Sequence, residues 1–244
     1  MSGFLINSYS LGVPFSPTDI SGLTLWLDAS DTSTITEVGG SVSQWDDKSG
    51  NGYDVTQASG AVQPSTGLVT VNGRNVLSFV LGDFLSNASG VITGSTNRTI
   101  FGVVNDPPAT PTGSNDVVFG LGVNSNGQAF YGTTEVAIRV WGGNTIYDSG
   151  VPSSGPSIIA WGLNGTTVSD LFARANGVAL GVTSVSFPTR VINTQAPTNI
   201  GQGPTASQNY EGDIAEILMY DSVLSGTDID KVEQYLANKW GVTL

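Results

Sequence analysis

The chain has 244 residues, with 8 Lys and Arg against 20 Asp and Glu, a net charge of −12, and neither cysteine nor histidine. This composition excludes disulfides and thiolate metal sites, and it removes the commonest general base and metal ligand. It also disfavours polyanion binding and anionic membranes, because both need clustered cations and the eight present are scattered along the chain.

Residues 1–18 read as an uncharged, aromatic-rich arm. Phe4, Leu5, Ile6, Tyr9 and Phe15 lie in it, and the first charged side chain is Asp19. Such an arm buries against something: its own domain, or a partner that it anchors. The opening Met1-Ser2-Gly3-Phe4-Leu5-Ile6-Asn7 lacks a basic region and a long apolar region and does not read as a signal peptide.

Residues 19–244 read as one all-β domain. Short apolar runs recur between Gly, Asn, Ser and Pro clusters, which is the pattern of strands and turns. The predicted strands are 23–27, 42–46, 76–80, 99–104, 116–121, 129–132, 137–141, 157–163, 169–175, 178–182, 199–201 and 214–220. About a dozen strands in this length fit two packed antiparallel sheets. Asn-Gly pairs at 51–52, 72–73, 126–127, 164–165 and 176–177 predict hairpin turns. The one predicted helix spans 225–240. There Ile229, Val232, Leu236 and Trp240 form a stripe, Ser225 or Thr227 caps the start, and Gly241 closes the end.

Three stretches carry a family resemblance. They are Leu25-Trp26-Leu27-Asp28-Ala29-Ser30-Asp31; Trp45-Asp46-Asp47-Lys48-Ser49-Gly50-Asn51-Gly52-Tyr53-Asp54; and Gly212-Asp213-Ile214-Ala215-Glu216-Ile217-Leu218-Met219-Tyr220 with the helix after it. Together they resemble the laminin-G-like jelly rolls of the concanavalin A-like superfamily. The resemblance implies a sandwich of two antiparallel sheets with a short C-terminal helix. It does not choose among the lectins, adhesins, glycosidases and structural modules, including phage structural proteins, that share the fold.

Several residues are candidates for chemistry. Glu211, Asp213 and Glu216 read E-x-D-x-x-E and resemble the catalytic strand of laminarinase-type retaining glycosidases. That reaction needs two carboxyls about 5–5.5 Å apart, and a regular strand sends Glu216 to the opposite face unless a bulge intervenes. The alternative is a purely structural strand. Asp46, Asp47 and Asn51 sit in an oxygen-rich loop with the donor chemistry of calcium, or of a tight Asx turn; no other cofactor is expected. Trp141, Tyr131 and Tyr147 are the candidate platforms for stacking sugars.

Three functions follow as expectations. The first is a non-enzymatic virion protein of a phage (capsid decoration, head fibre or tail component) held to other virion proteins by the arm. It is expected to be a homo-oligomer, a trimer by analogy with closed symmetric assemblies, and to touch host glycans. The second is a carbohydrate-binding module or adhesin, extracellular or on a cell surface. The third is a glycoside hydrolase using Glu211 and Glu216. Neither nucleic acid nor a membrane is expected as a partner.

Overall fold

The computed structural model describes residues 14–105, 116–125, 127–134, 136–140, 143–147 and 154–244. The fold is an all-β sandwich with one C-terminal helix. In chain order the strands begin with β1 (Leu23–Asp28), β2 (Ile35–Val38), β3 (Ser41–Trp45), β4 (Val55–Thr56), β5 (Ser65–Val71) and β6 (Arg74–Phe79). They continue with β7 (Leu85–Asn87), β8 (Arg98–Asn105), β9 (Val117–Gly122), β10 (Ala129–Thr133), β11 (Ala137–Val140) and β12 (Gly143–Tyr147). The last are β13 (Pro156–Leu163), β14 (Leu171–Ala175), β15 (Val178–Ala179), β16 (Val182–Ser186), β17 (Thr198–Ile200) and β18 (Gly212–Tyr220), followed by α1 (Gly226–Trp240).

The pairings, all antiparallel, separate into two layers. In the first, β18 is central: β8 runs along one side, while β6 and β1 share the other. Beyond β8 come β13, β14 and β15. The second layer runs β2, β3, β4, β7, β17, β9, β10, β11, β12, β16. A single bridge, Ser41 to Ser65, joins the layers at one corner.

The main core lies between them. Leu25, Leu27, Ile217 and Met219 from the first layer meet Leu121, Phe130 and Ile138 from the second. Trp161 of β13 meets Phe119 of β9 edge-to-face, with centroids 5.1 Å apart. Gly132 of β10 is required beneath this pair, since a Cβ there would lie 2.5 Å from the Phe119 ring and 2.7 Å from Trp161.

The first layer buries its outer face as well. Phe101, Val103, Ile158, Ala160 and Leu218 pack under α1, which contributes Ile229, Val232, Leu236 and Trp240. This is the stripe expected from the sequence. Ser225 caps the helix, its Oγ accepting from the Asp228 amide, and Gly241 closes it at φ +74°. Arg174 of β14 donates to both carboxylate oxygens of the buried Glu233, at 2.9 and 2.8 Å, and so ties the helix to the sheet edge. The Asn-Gly pairs at 72–73 and 176–177 form the β5–β6 and β14–β15 hairpins, with positive φ at both residues of each pair.

Candidate functional site

The site grows from a local irregularity in β18. Its register against β8 shifts between Ile214 and Glu216. A bulge of this kind turns two successive side chains to one face. Ile214 and Ile217 remain in the inter-sheet core, while Ala215 joins the cluster under the helix. Glu216 falls on that helix side too.

There its carboxylate is enclosed by donors from both ends of the chain. Oε1 accepts from Trp26 Nε1 at 2.7 Å and from the Tyr235 hydroxyl at 2.9 Å. Oε2 accepts from Trp240 Nε1 at 2.7 Å and pairs with Lys239 Nζ at 2.8 Å. The residue is 1% exposed. Burial pushes its carboxyl above the usual range, against the pull of the Lys239 ammonium.

The network continues outward. Lys239 also pairs with Asp28 at 2.7 Å. Lys48 bridges Asp28 and Asp31, each at 2.8 Å. Burial works to raise the Asp28 carboxyl, but Lys239, Lys48 and Ser30 outweigh it and hold it below the usual range. Hydrogen bonds from Lys48 and Ser33 bring Asp31 down to about 2. Alternation along β1 explains the placement: Trp26 and Asp28 share the helix face, while Leu25 and Leu27 face the core.

Above this network lies an open groove of about 1330 Å³ between α1, the end of β1 and the segment leading into the domain. Phe15, Trp26 and Tyr235 supply its aromatic surface, and Gln234, Asn238 and Ser30 supply neutral polar groups. Phe15 meets Tyr235 edge-on at 6.0 Å. Lys48 lies 4.7 Å from the centre of the Trp26 ring. All three lysines of the chain, Lys48, Lys231 and Lys239, line this groove.

Among the described residues, those singled out from sequence are dispersed. Glu211 is exposed. Asp213 is nearly buried, and its two oxygens accept from Ser78 Oγ at 2.6 Å and Asn105 Nδ2 at 2.8 Å. The bulge that would bring Glu216 toward the face of Asp213 is present, but the Glu216 oxygens are already occupied by the four donors above. Tyr131 lies on the outer face of the second layer, 5% exposed, and its hydroxyl accepts from Gln208 Nε2 at 2.8 Å. Burial raises its pKa. Trp141 lies outside the described residues, and of Tyr147 only the backbone is described.

The loop of Asp46, Asp47 and Asn51 is an Asx-type turn. Asp47 accepts from the amides of Trp26, Ser49 and Tyr53 and from Ser49 Oγ. Asp46 accepts from Gln44 Nε2. Asn51 offers its amide nitrogen, not its oxygen, to the carbonyls of Leu23 and Thr24. This set does not fit calcium, and no group of three or more acidic side chains is arranged for a metal among the described residues. Of the arm residues, Phe4, Leu5, Ile6 and Tyr9 lie outside the described part. Phe15 packs on the protein's own helix, and the Tyr220 hydroxyl donates to the Pro17 carbonyl at 3.1 Å.

Trp26, Asp28, Lys48, Tyr235 and Lys239 are not among the candidates for chemistry named from the sequence. Two signals pointed to them. Tyr235 and Lys239 stand at i and i+4 on one helix flank, and a chain with so few cations places two of its three lysines on that helix.

No family model matches the sequence, and no curated protein matches it. Solved structures share the fold. Domain 4 of AbnA, a GH43 extracellular arabinanase from Geobacillus stearothermophilus, in complex with arabinotriose, aligns with TM-score 0.57 and 14% identity, over 87% of this chain and 98% of that one. An arabinofuranosidase complexed with arabinofuranosyl-alpha-1,2-xylobiose aligns with TM-score 0.59 and 16% identity, over 91% of this chain and 60% of that one. The Trypanosoma rangeli sialidase in complex with the inhibitor DANA aligns with TM-score 0.53 and 14% identity, over 88% of this chain and 33% of that one. At these identities the likeness establishes the all-β sandwich. It gives no support to the expected virion role. Among the described residues no helix is long and apolar enough to cross a membrane.

Proposed function

We propose that the protein is a carbohydrate-binding sandwich module, working outside the cell or on its surface, with no catalytic reaction of its own. The observation that carries this reading is the groove beside α1. It joins three aromatic side chains to a rim of amides, hydroxyls and charged groups, the combination by which a site holds a ring and orients its hydroxyls. The structural relatives add a fold that serves carbohydrate-active proteins, one of them solved with arabinotriose bound. The non-catalytic reading is supported by Glu216: a carboxylate gripped by two indoles, a phenol and an ammonium is poorly placed to donate or attack.

The test is binding of the full chain to immobilised and soluble oligosaccharides, arabinan and xylan fragments among them, with Gln234→Ala/Asn238→Ala as the comparison. Both residues are exposed on α1 and are bonded to each other at 3.0 Å, so their loss spares the core. The reading expects binding that the double variant weakens at least about tenfold, the worth of about 1.4 kcal/mol in lost hydrogen bonds. Product release from any of these sugars would overturn the non-catalytic part.

A further inference from the structure

We infer that the α1 groove selects uncharged glycans several rings long, a statement that rests on the carbohydrate reading above. Four of the eight cations of the chain, Lys48, Arg74, Lys231 and Lys239, line this one groove. In a chain of net charge −12, such a gathering at first suggests a site for an acidic sugar.

The pairing of these cations argues the reverse. Lys48 is engaged by Asp28 and Asp31, each at 2.8 Å. Lys239 is engaged by Asp28 at 2.7 Å and Glu216 at 2.8 Å. Lys231 pairs with Asp228 at 2.9 Å. Arg74 turns its Nε to the Lys239 carbonyl at 3.0 Å. Four acids, Asp19, Asp28, Asp31 and Asp230, stand in the same lining, so it carries no surplus of positive charge. At the three lysines a carboxylate or sulfate on the ligand would have to draw a cation from its partner or settle against an aspartate, and like charges repel; Arg74, exposed and bonded to a carbonyl, is the one cation of the lining with no carboxylate on it. A sugar hydroxyl meets no such obstacle. It donates to a carboxylate oxygen and accepts from an ammonium while the ion pair stays intact.

Size points the same way. A groove of about 1330 Å³ exceeds the roughly 300–1,000 Å³ of a pocket for a single small molecule. Phe15, Tyr235 and Trp26 form one aromatic cluster, since Phe15 meets Tyr235 at 6.0 Å and Trp26 and Tyr235 bond the same Glu216 oxygen, so one ring can meet the cluster and further rings lie along the rest of the groove.

The experiment presents the full chain with an array of neutral pentose and hexose oligosaccharides and with counterparts bearing sialic acid, uronic acid or sulfate. Hits are measured by calorimetry at low and high sodium chloride, for the native chain and for Gln234→Ala/Asn238→Ala. The expected result is neutral ligands bound, acidic counterparts at least tenfold weaker, little change with salt, and loss in the double variant. Acidic ligands binding equally or better, with affinity falling as salt rises, overturn the selectivity and leave the carbohydrate reading standing. Neutral binding that the double variant leaves intact moves the ligand off this groove and ends the inference. No binding of either class removes the carbohydrate reading itself.

Discussion

At the scale of single residues, Glu216 decides most. Its carboxylate is the meeting point of Trp26 from the first strand and of Tyr235, Lys239 and Trp240 from the helix. Removing it leaves the Lys239 ammonium with Asp28 and the Tyr235 hydroxyl, and two indole N–H groups without an acceptor. Glu216→Ala should therefore cost about 3–5 kcal/mol, as removal of one partner from a buried ion pair does, and chemical denaturation reads this directly. Glu216→Gln should recover only part of it, since the amide sets donor against donor on the Trp240 and Lys239 side. Asp31 supplies a second prediction. Its folded pKa of about 2 lies below the ordinary 3.8. Stabilisation from this group is therefore present above pH 4 and lost as pH falls toward 2. Asp31→Asn should flatten the melting temperature against pH in that window and leave the curve above pH 5 with its original slope. An unchanged acid limb would contradict the assignment.

At the scale of elements, the helix and the hairpins were legible because their signals are local. The stripe Ile229, Val232, Leu236, Trp240 and the cap at Ser225 required nothing from the rest of the chain. Ser225→Ala should cost about 1 kcal/mol, measured by thermal unfolding. The same held for Asn72-Gly73 and Asn176-Gly177. Strand β16 escaped notice for a physical reason: its apolar side chains face solvent, Val182 and Val185 being 50% and 40% exposed, so no alternation with the core marks it. In β5 only Val69 and Val71 turn to the cluster under the helix, while Leu68 is 76% exposed, too short an alternation to stand out. The predicted run 178–182 instead ends one edge strand and starts another, β15 and β16, in different layers. The bulge in β18 was foreseen as a condition, but its partners were not, because Tyr235 and Lys239 meet Glu216 only after the helix folds back. Gly132 belongs to this scale as well. Gly132→Ala should cost about 1–3 kcal/mol by overpacking against Phe119 and Trp161, whose rings leave no room for a methyl.

At the scale of the whole molecule, the three sequence blocks that carry the family resemblance converge on one place. Trp26 and Asp28 come from the first, Lys48 from the second, Glu216 from the third, and the helix after it closes the network. The resemblance thus located the stitching of the fold, and the groove lies directly over that stitching. Of the sugar platforms expected from sequence, Tyr131 is covered on the opposite layer. A stacking residue is recognised by exposure, which a strand's sequence does not reveal when loops fold over it.

A carbohydrate-binding role at this place requires that ligand enter the groove beside α1. A two-dimensional NMR titration of the full chain with a neutral oligosaccharide tests it most directly. The expected result is shifts concentrated at the Trp26 indole N–H and at the side-chain amides of Gln234 and Asn238, saturating together. Shifts confined to β9, β10 and β11, or none at concentrations where binding is otherwise measured, would contradict it.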